Sequence, residues 1–498
     1  MRVVTVIVVC LSLAPSDGRV IAQQQGVAPS MTGNQFSRMF HLPPFAPPTP
    51  HVRAALTEIG RKGGIMDAKD DLAAGPVALI ANEALSVNNP NSAHTAGVTF
   101  MGQFLDHDMT FDGVSRLGRP TNPHTTPNAR RPYFDLDSVY GDGPATSPIL
   151  YDPSDRAKLR VEHGGLFEDL PRDATGAAII ADPRNDENIV IAGLQAAFLL
   201  FHNQMVDRVR AYDPEMDVQD VFDEARHLTV LHYQWLILHD ILPQFVGGAM
   251  VNDVLTNGGR FYPTSHTGAT IPIEFQIAYR FGHSMVRPSY RANFTGAGGG
   301  PFFAMLFEPQ AGSGTEPSDL RGGARGSRRF IGWQTFFSFP GQEAEMRPNK
   351  RLDTRLSSPL FDLPLGAIAS GTPPTSLAER NLYRHLTWQV PSGQAIAGAM
   401  GIPPLGAAHF ADLAAIYPPF ATSTPLWFYV LREADLNGGN TLGPVGGRIV
   451  AEVFVGLLRA DPASILNQSP AFVPTLGTVP GEFTMIDFLH IAGVDQKR

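Results

Sequence analysis

Apolar residues recur at helical spacing around positions 76–87, 93–108, 186–210, 217–240, 273–287, 376–388, 409–416 and 446–459, whereas strand-like alternation is scarce. Long connections separate these stretches, notably 112–133 and 291–327, the second holding Gly296-Ala297-Gly298-Gly299-Gly300. Connections of that length in a compact body serve a site or wrap the surface. Forty-three prolines and 49 glycines suit irregular connectors better than a tidy four-helix bundle. No internal repeat or sharp linker divides the 498 residues, so the expectation is a mainly α fold built as one large domain.

The N-terminus reads as a separate device. Met1-Arg2 precedes a mostly apolar run from Val3 to Ala14, and Val20-Ile21-Ala22 ends the segment. That is the charge, apolar core and cleavage logic of a secretory signal over residues 1–22, with Ala22 the last residue removed. The expected destination is periplasmic or extracellular. Cys10 is the only cysteine and falls inside it, so the mature chain is expected to hold no disulfide, iron–sulfur cluster or catalytic thiol. Val9 stands where a lipoprotein anchor needs a small residue. Residues 23–50 are Gln- and Pro-rich and read as an extended arm, leaving 51–498 as the main domain.

The chain is 43% hydrophobic and 17% charged, an ordinary balance for a soluble globular protein. Its net charge is −9 and no Lys/Arg block appears, which argues against a nucleic-acid partner. After the N-terminal segment the longest apolar run, Ile189 to Phe201, is interrupted by Gln195 and reads as too short to span a bilayer. No membrane span is expected in the mature chain.

Four dispersed segments could carry chemistry. In Gly102-Gln103-Phe104-Leu105-Asp106-His107-Asp108 a helix gathers Gln103, Asp106, His107 and Thr110 onto an arc of about 100°. Val98, Met101, Phe104 and Leu105 fill the other side. Asp108 points into that apolar side, where a carboxylate should want a cation. Taken alone, this segment reads as a surface helix with a packed histidine. Second, Asp182-Pro183-Arg184-Asn185-Asp186-Glu187-Asn188 opens the long apolar helix, a position that also suits plain capping. Third, Arg280 and His283 stand at i and i+3 on one helical face, Gly282 removes bulk beside the histidine, and Pro288 ends the helix. Fourth, Arg380-Asn381-Leu382-Tyr383-Arg384 places polar groups at the start of another helix. G-x-S-x-G, P-loop and H-E-x-x-H patterns are absent from the sequence, and Gly443-Pro444-Val445-Gly446-Gly447 follows no strand.

Together with Met39-Phe40 and its following Leu-Pro-Pro-Phe-Ala-Pro-Pro run, Asp135-Leu136-Asp137-Ser138-Val139-Tyr140-Gly141, Gly446 to Glu452 and Phe483 to Asp487, these segments resemble the animal-type haem peroxidases, particularly bacterial members. The resemblance runs from about Phe36 to Gly493. It implies a secreted enzyme binding haem b, or an ester-linked derivative, and using hydrogen peroxide to oxidise small reducing donors such as phenols, bromide, iodide or thiocyanate through a ferryl intermediate.

Carried residue by residue, it makes His283 the proximal iron ligand, with the Asn381 side-chain oxygen accepting the other imidazole proton. His107 becomes the distal base, Arg184 its charged partner and Gln103 a group that binds cavity water. Asp106 and Glu187 match carboxylates that form ester links to haem, and Arg280 and Arg384 match basic residues near its propionates. Asn188 replaces the methionine of the chloride-oxidising member, which excludes a sulfonium link and argues against strong chloride oxidation. Asp108, the Tyr133 carbonyl, Asp135 and Asp137 match a calcium site, with Arg131 standing where the family offers threonine. An Asx-rich turn is the plainer reading of that loop.

Two other functions compete. Fatty-acid dioxygenases of the same superfamily carry a radical-forming tyrosine three residues before the proximal histidine, where this chain has Arg280; Tyr279 is one position off, about 100° around a helix. An adhesive or matrix protein would keep the fold with little turnover, and would have no need of the full set of haem residues.

Overall fold

A computed structural model describes residues 34–497 except 83–84, 86–89, 164–166, 263–268, 296–299, 313, 315, 324 and 369. The proposed signal segment, the first part of the arm and most of the Gly296–Gly300 run lie outside the described residues. About 49% of the described residues are helical and 7% strand, so the mainly α expectation holds.

The body is organised around two long helices. Ile189–Tyr212 is buried over most of its length and packs along Val218–Leu236 on one side and Ala96–Met109 on another. The contact with Ala96–Met109 centres on Phe104 and Phe198, whose rings stack with centroids 4.7 Å apart. Neither side chain is more than 1% exposed, and each contributes about 1.5–3 kcal/mol by leaving water. Pro444–Ala460 and Leu426–Leu436 close the far side against Ile273–Ala278. Gly102 permits the close approach of Phe245, because a Cβ there would lie 2.9 Å from the ring tip.

Sheet is limited among the described residues to two-stranded pairs. Phe36–Ser37 runs parallel to Ile271–Pro272, and the Met39 amide donates to the buried Glu274 carboxylate, which ties the N-terminal stretch to the start of the Ile273–Ala278 helix. Pro90–Thr95 pairs with Pro348–Lys350, so the helix expected from 93 begins at Ala96.

Other boundaries differ from the sequence pattern for identifiable reasons. Asn188 caps the long helix by accepting from the Val190 and Ile191 amides, which starts it at Ile189 rather than 186. Arg184 therefore sits not in its first turn but on a preceding 3-10 turn, Pro183–Asp186, capped by Asp182; Glu187 follows that turn. The helix expected over 273–287 is α only to Ala278 and continues as a 3-10 helix, Tyr279–Met285. Pro50–Gly60, Gly248–Asn257, Gly393–Ala399 and Leu426–Leu436 are helices that the apolar spacing did not single out.

One expectation on length is corrected. The Ile189–Tyr212 helix has 24 residues, long and apolar enough to cross a membrane, because helical structure continues past the apolar run. Within the fold 83% of its most apolar window is buried, which fits a core helix.

Candidate functional site

A cleft enclosing about 1250 Å³, including solvent at its mouth, lies between the Ala96–Met109 helix and the Tyr279–Met285 segment. Gln103 and Asp106 look into it from one side, and Arg280, Gly282 and His283 from the other. Glu187 and Asn188 add a polar wall; Leu360, Leu363 and Ile368 are among the residues of an apolar one. Because a 3-10 helix has three residues per turn, Arg280 and His283 are eclipsed on the same side, more closely aligned than on an α-helix. A Cβ built on Gly282 would meet nothing within 4 Å, so open space borders the backbone beside His283.

His107 is 3% exposed and stands behind the cleft wall, in the turn that carries Asp106. Its Nδ1 lies 2.9 Å from Asn185 Oδ1, and its Nε2 has no hydrogen bond among the described residues. Burial and the Arg184 charge push the imidazole down to about 3, so the ring is neutral across ordinary pH. Thr110 is the helix C-cap, its hydroxyl 3.4 Å from Asp106.

Arg184 also stands behind the wall. Its Nε and Nη2 donate to Asp182 at 3.0 and 2.8 Å, and Nη2 further donates to the His107 and Thr110 carbonyls. The guanidinium is stacked 4.8 Å from the Phe111 ring, and Nη1 lies 3.6 Å from Asp106. Asp182 is fully buried between Arg184 and Arg130; burial opposes its charge, yet the two guanidiniums hold the carboxyl below the usual range.

The cleft carboxylates are shifted the other way. Burial pushes Glu187 up to about 7 against the opposing pull of Arg184, and raises Asp106 despite Arg184 and Arg280. The Glu187 side chain has no hydrogen bond among the described residues. Gln103 Oε1 lies 3.4 Å from the Asn188 amide nitrogen.

On the other wall, burial and then Arg280 lower His283 to about 3, leaving a neutral ring with the electron pair a metal ligand needs. The Asn381 amide reaches His283 Nδ1 at 2.7 Å, as the sequence suggested, but with the opposite sense. Its nitrogen faces the ring, because its oxygen accepts from Arg280 Nη1 at 3.4 Å. A half-turn of the amide would exchange the two atoms. Burial and Arg384 lower Arg280 to about 10, and its Nε is buried without a partner among the described residues. Arg384 donates to Asp112 and Ser115, each at 2.7 Å.

A buried cationic edge with an unpaired donor, two carboxylates on the wall, a neutral histidine and a glycine facing open space together suit a flat, dianionic, metal-bearing group such as haem. The residues fit.

Next to this site the Asp108, Asp135 and Asp137 carboxylates offer oxygens within 4.8 Å of one another. Asp108 is not a bare charge awaiting a cation, however. It accepts from the Leu136 and Ser138 amides, the Ser138 hydroxyl and the Tyr233 hydroxyl. Burial and then Asp137 raise it well above the ordinary range. Tyr133 lies half-buried in the same loop. Arg131 Nε is 2.9 Å from Asp135 and 3.8 Å from Asp137.

Asp182, Asn185, Asp112 and Tyr279 were not assigned roles from sequence. Asp182 had a local signal, an acid before the proline turn that presents Arg184. The other three depend on contacts across the fold: Tyr279 lines the cleft and donates its hydroxyl to the Gly102 carbonyl at 3.0 Å, 177 positions away.

Comparison with known proteins finds similar sequences and similar folds. Residues 112–298 match the model of the animal haem peroxidase family, a stretch that includes the acidic loop, Arg184, Glu187 and His283. A 111-residue stretch, 22% of the chain, is 31% identical to a dual oxidase of Drosophila melanogaster. The aligned stretches span only 7–18% of the first three curated relatives' own lengths. In fold, the chain is similar to peroxidase A from Dictyostelium discoideum, with TM-score 0.59 and 16% identity over 88% of this chain and 91% of that one. It is also similar to a fatty acid alpha-dioxygenase of Oryza sativa, with TM-score 0.55 and 14% identity over 91% and 77%. With a matching family model over residues 112–298, stretches similar to peroxidase sequences and a similar fold, the chain resembles the animal haem peroxidases.

Proposed function

We propose that the chain is a haem peroxidase that uses hydrogen peroxide to oxidise small donors such as phenols, bromide, iodide or thiocyanate. The observation that carries this reading is the cleft with His283 and Gly282 on one wall and Gln103 and Asp106 on the other, from the helix that holds His107 behind that wall. When bound, haem supplies the iron and the redox equivalents for reducing peroxide.

The chain's own residues supply the rest. His283 would hold the iron, steadied by Asn381 once the amide oxygen faces Nδ1–H. His107, neutral and with Nε2 unengaged, takes a proton from hydrogen peroxide and returns it to the oxygen that leaves as water. Arg184, held by Asp182, keeps a fixed positive charge beside that transfer and favours the developing negative charge. Gln103 orders water in the cleft. Arg280 and Arg384 would hold carboxylates at its edge, and Asp106 and Glu187, both on the cleft wall, would be the groups that form ester links. Calcium is the ion we assign to Asp108, Asp135, Asp137 and the Tyr133 carbonyl, where it would brace the end of the His107 helix. Residues 1–22 are proposed to direct export, which predicts Gln23 as the first residue of the exported protein.

The test is direct. Purified full-length protein supplied with haem should develop a Soret band and oxidise guaiacol or bromide only when peroxide is added. His107→Ala should keep the band and lose about 10²-fold or more of the turnover. No band, or equal turnover by the variant, would overturn the reading.

One observation favours a second reading. Tyr279, next to the position where the superfamily's dioxygenases carry their radical tyrosine, lies on the cleft wall. A fatty-acid dioxygenase would use such a phenol. Oxygen uptake with linoleate in the absence of peroxide, abolished by Tyr279→Phe, would put that activity ahead of peroxidation.

A further inference from the structure

The hydrogen-bonding partner of His107 is itself held in one orientation. Asn185 is fully buried, and its Nδ2 donates to the Ser138 carbonyl at 3.3 Å and to Gln195 Oε1 at 2.8 Å. A backbone carbonyl can only accept, so the amide cannot turn over without setting its oxygen against the Ser138 oxygen. Oδ1 therefore faces His107 Nδ1, 2.9 Å away, and as an acceptor it requires the proton to reside on Nδ1. The neutral ring is left with its lone pair on Nε2.

We infer that Asn185 is a positioning residue that fixes the tautomer of His107, with Ser138 and Gln195 fixing Asn185 in turn. Gln195 enters from the second turn of the Ile189–Tyr212 helix, where it is 1% exposed. The one residue that interrupts the longest apolar run thus has a partner whose orientation bears on the site. Without this chain of amides a buried neutral imidazole would divide between two tautomers, and only one presents an unprotonated Nε2.

The inference deepens the peroxidase reading, but tautomer state can be read without turnover. In full-length protein with 15N-labelled imidazoles, the His107 signal is identified by its loss in His107→Ala, since the chain has 15 histidines. Wild type should show Nδ1 protonated and Nε2 bare. Asn185→Leu should shift the ring to a mixture or to Nε2–H and lower peroxide turnover at least tenfold. Asn185→Asp, which keeps an acceptor, should keep Nδ1–H. Should the leucine variant not fold, Gln195→Met carries the test, with loss of the single tautomer expected. An unchanged Nδ1–H tautomer in the folded leucine variant, or in Gln195→Met where that variant substitutes for it, would overturn the inference. If the tautomer responds as expected while wild type oxidises nothing under peroxide, the peroxidase reading fails and the role of Asn185 stands.

Discussion

Arg131 Nε stands 2.9 Å from the Asp135 carboxylate, inside the loop that brings three aspartates together beside the His107 helix. A guanidinium there offsets the carboxylates' mutual repulsion and competes with any added cation. Arg131→Thr should therefore bind calcium at least tenfold more tightly than wild type by titration calorimetry. It should also lose more thermal stability when a chelator is added. Equal affinities would mean that the arginine lies outside the ion's field.

Asp182 is the buried counter-charge of both Arg184 and Arg130. Asp182→Asn would leave two guanidiniums short of a partner, at a cost of about 3–5 kcal/mol. Urea unfolding measures this loss directly. A destabilisation under 1 kcal/mol would show that carbonyls such as those of His107 and Thr110 suffice to hold Arg184.

Glu187 gives the haem-free protein a pH-dependent weakness. Its folded pKa is raised to about 7 from an ordinary 4.5, so the native state binds more protons than the unfolded one between those values. Stability from this group is fully present below about pH 4.5 and is lost as pH rises through 7. Glu187→Gln should match wild type at pH 4.5 and exceed it at pH 8 by something on the order of 1–3 kcal/mol. A difference that does not vary with pH would show that the carboxyl is solvated.

Gly282 faces open space, so a leucine there has room while the cleft is unfilled. Gly282→Leu should leave the stability of the haem-free chain within about 0.5 kcal/mol of wild type. Haem uptake, followed by the Soret band, should fall at least tenfold because the side chain takes up the space beside His283. Undiminished uptake would place the flat group elsewhere in the cleft.

Much of the site was legible in the sequence because its parts are local. Helical spacing alone put Gln103, Asp106 and His107 on one arc, and the three-residue interval between Arg280 and His283 sets them on one side in either an α- or a 3-10 helix. The acids of the 135–137 loop are close neighbours in the chain, so the mutual repulsion of their carboxylates follows from ordinary Coulomb interaction. Class followed too, since recurrent 3.6-residue periodicity with scarce alternation admits few folds other than a mainly α one.

Only the tertiary structure decided which group each of these side chains faces. Asn185 meets His107 across 78 positions, Asn381 meets His283 across 98, and Tyr233 meets Asp108 across 125. No local pattern encodes such pairings, because each depends on how buried helices pack and on which polar atoms must then find partners away from water. The same packing sets the protonation of His107, His283 and Glu187, since burial, absent from any linear reading, is the largest cause of all three shifts. Periodicity and spacing thus determined the elements and the candidate residues, while desolvation and long-range hydrogen bonding, which exist only once the chain is packed, decided their orientation and charge.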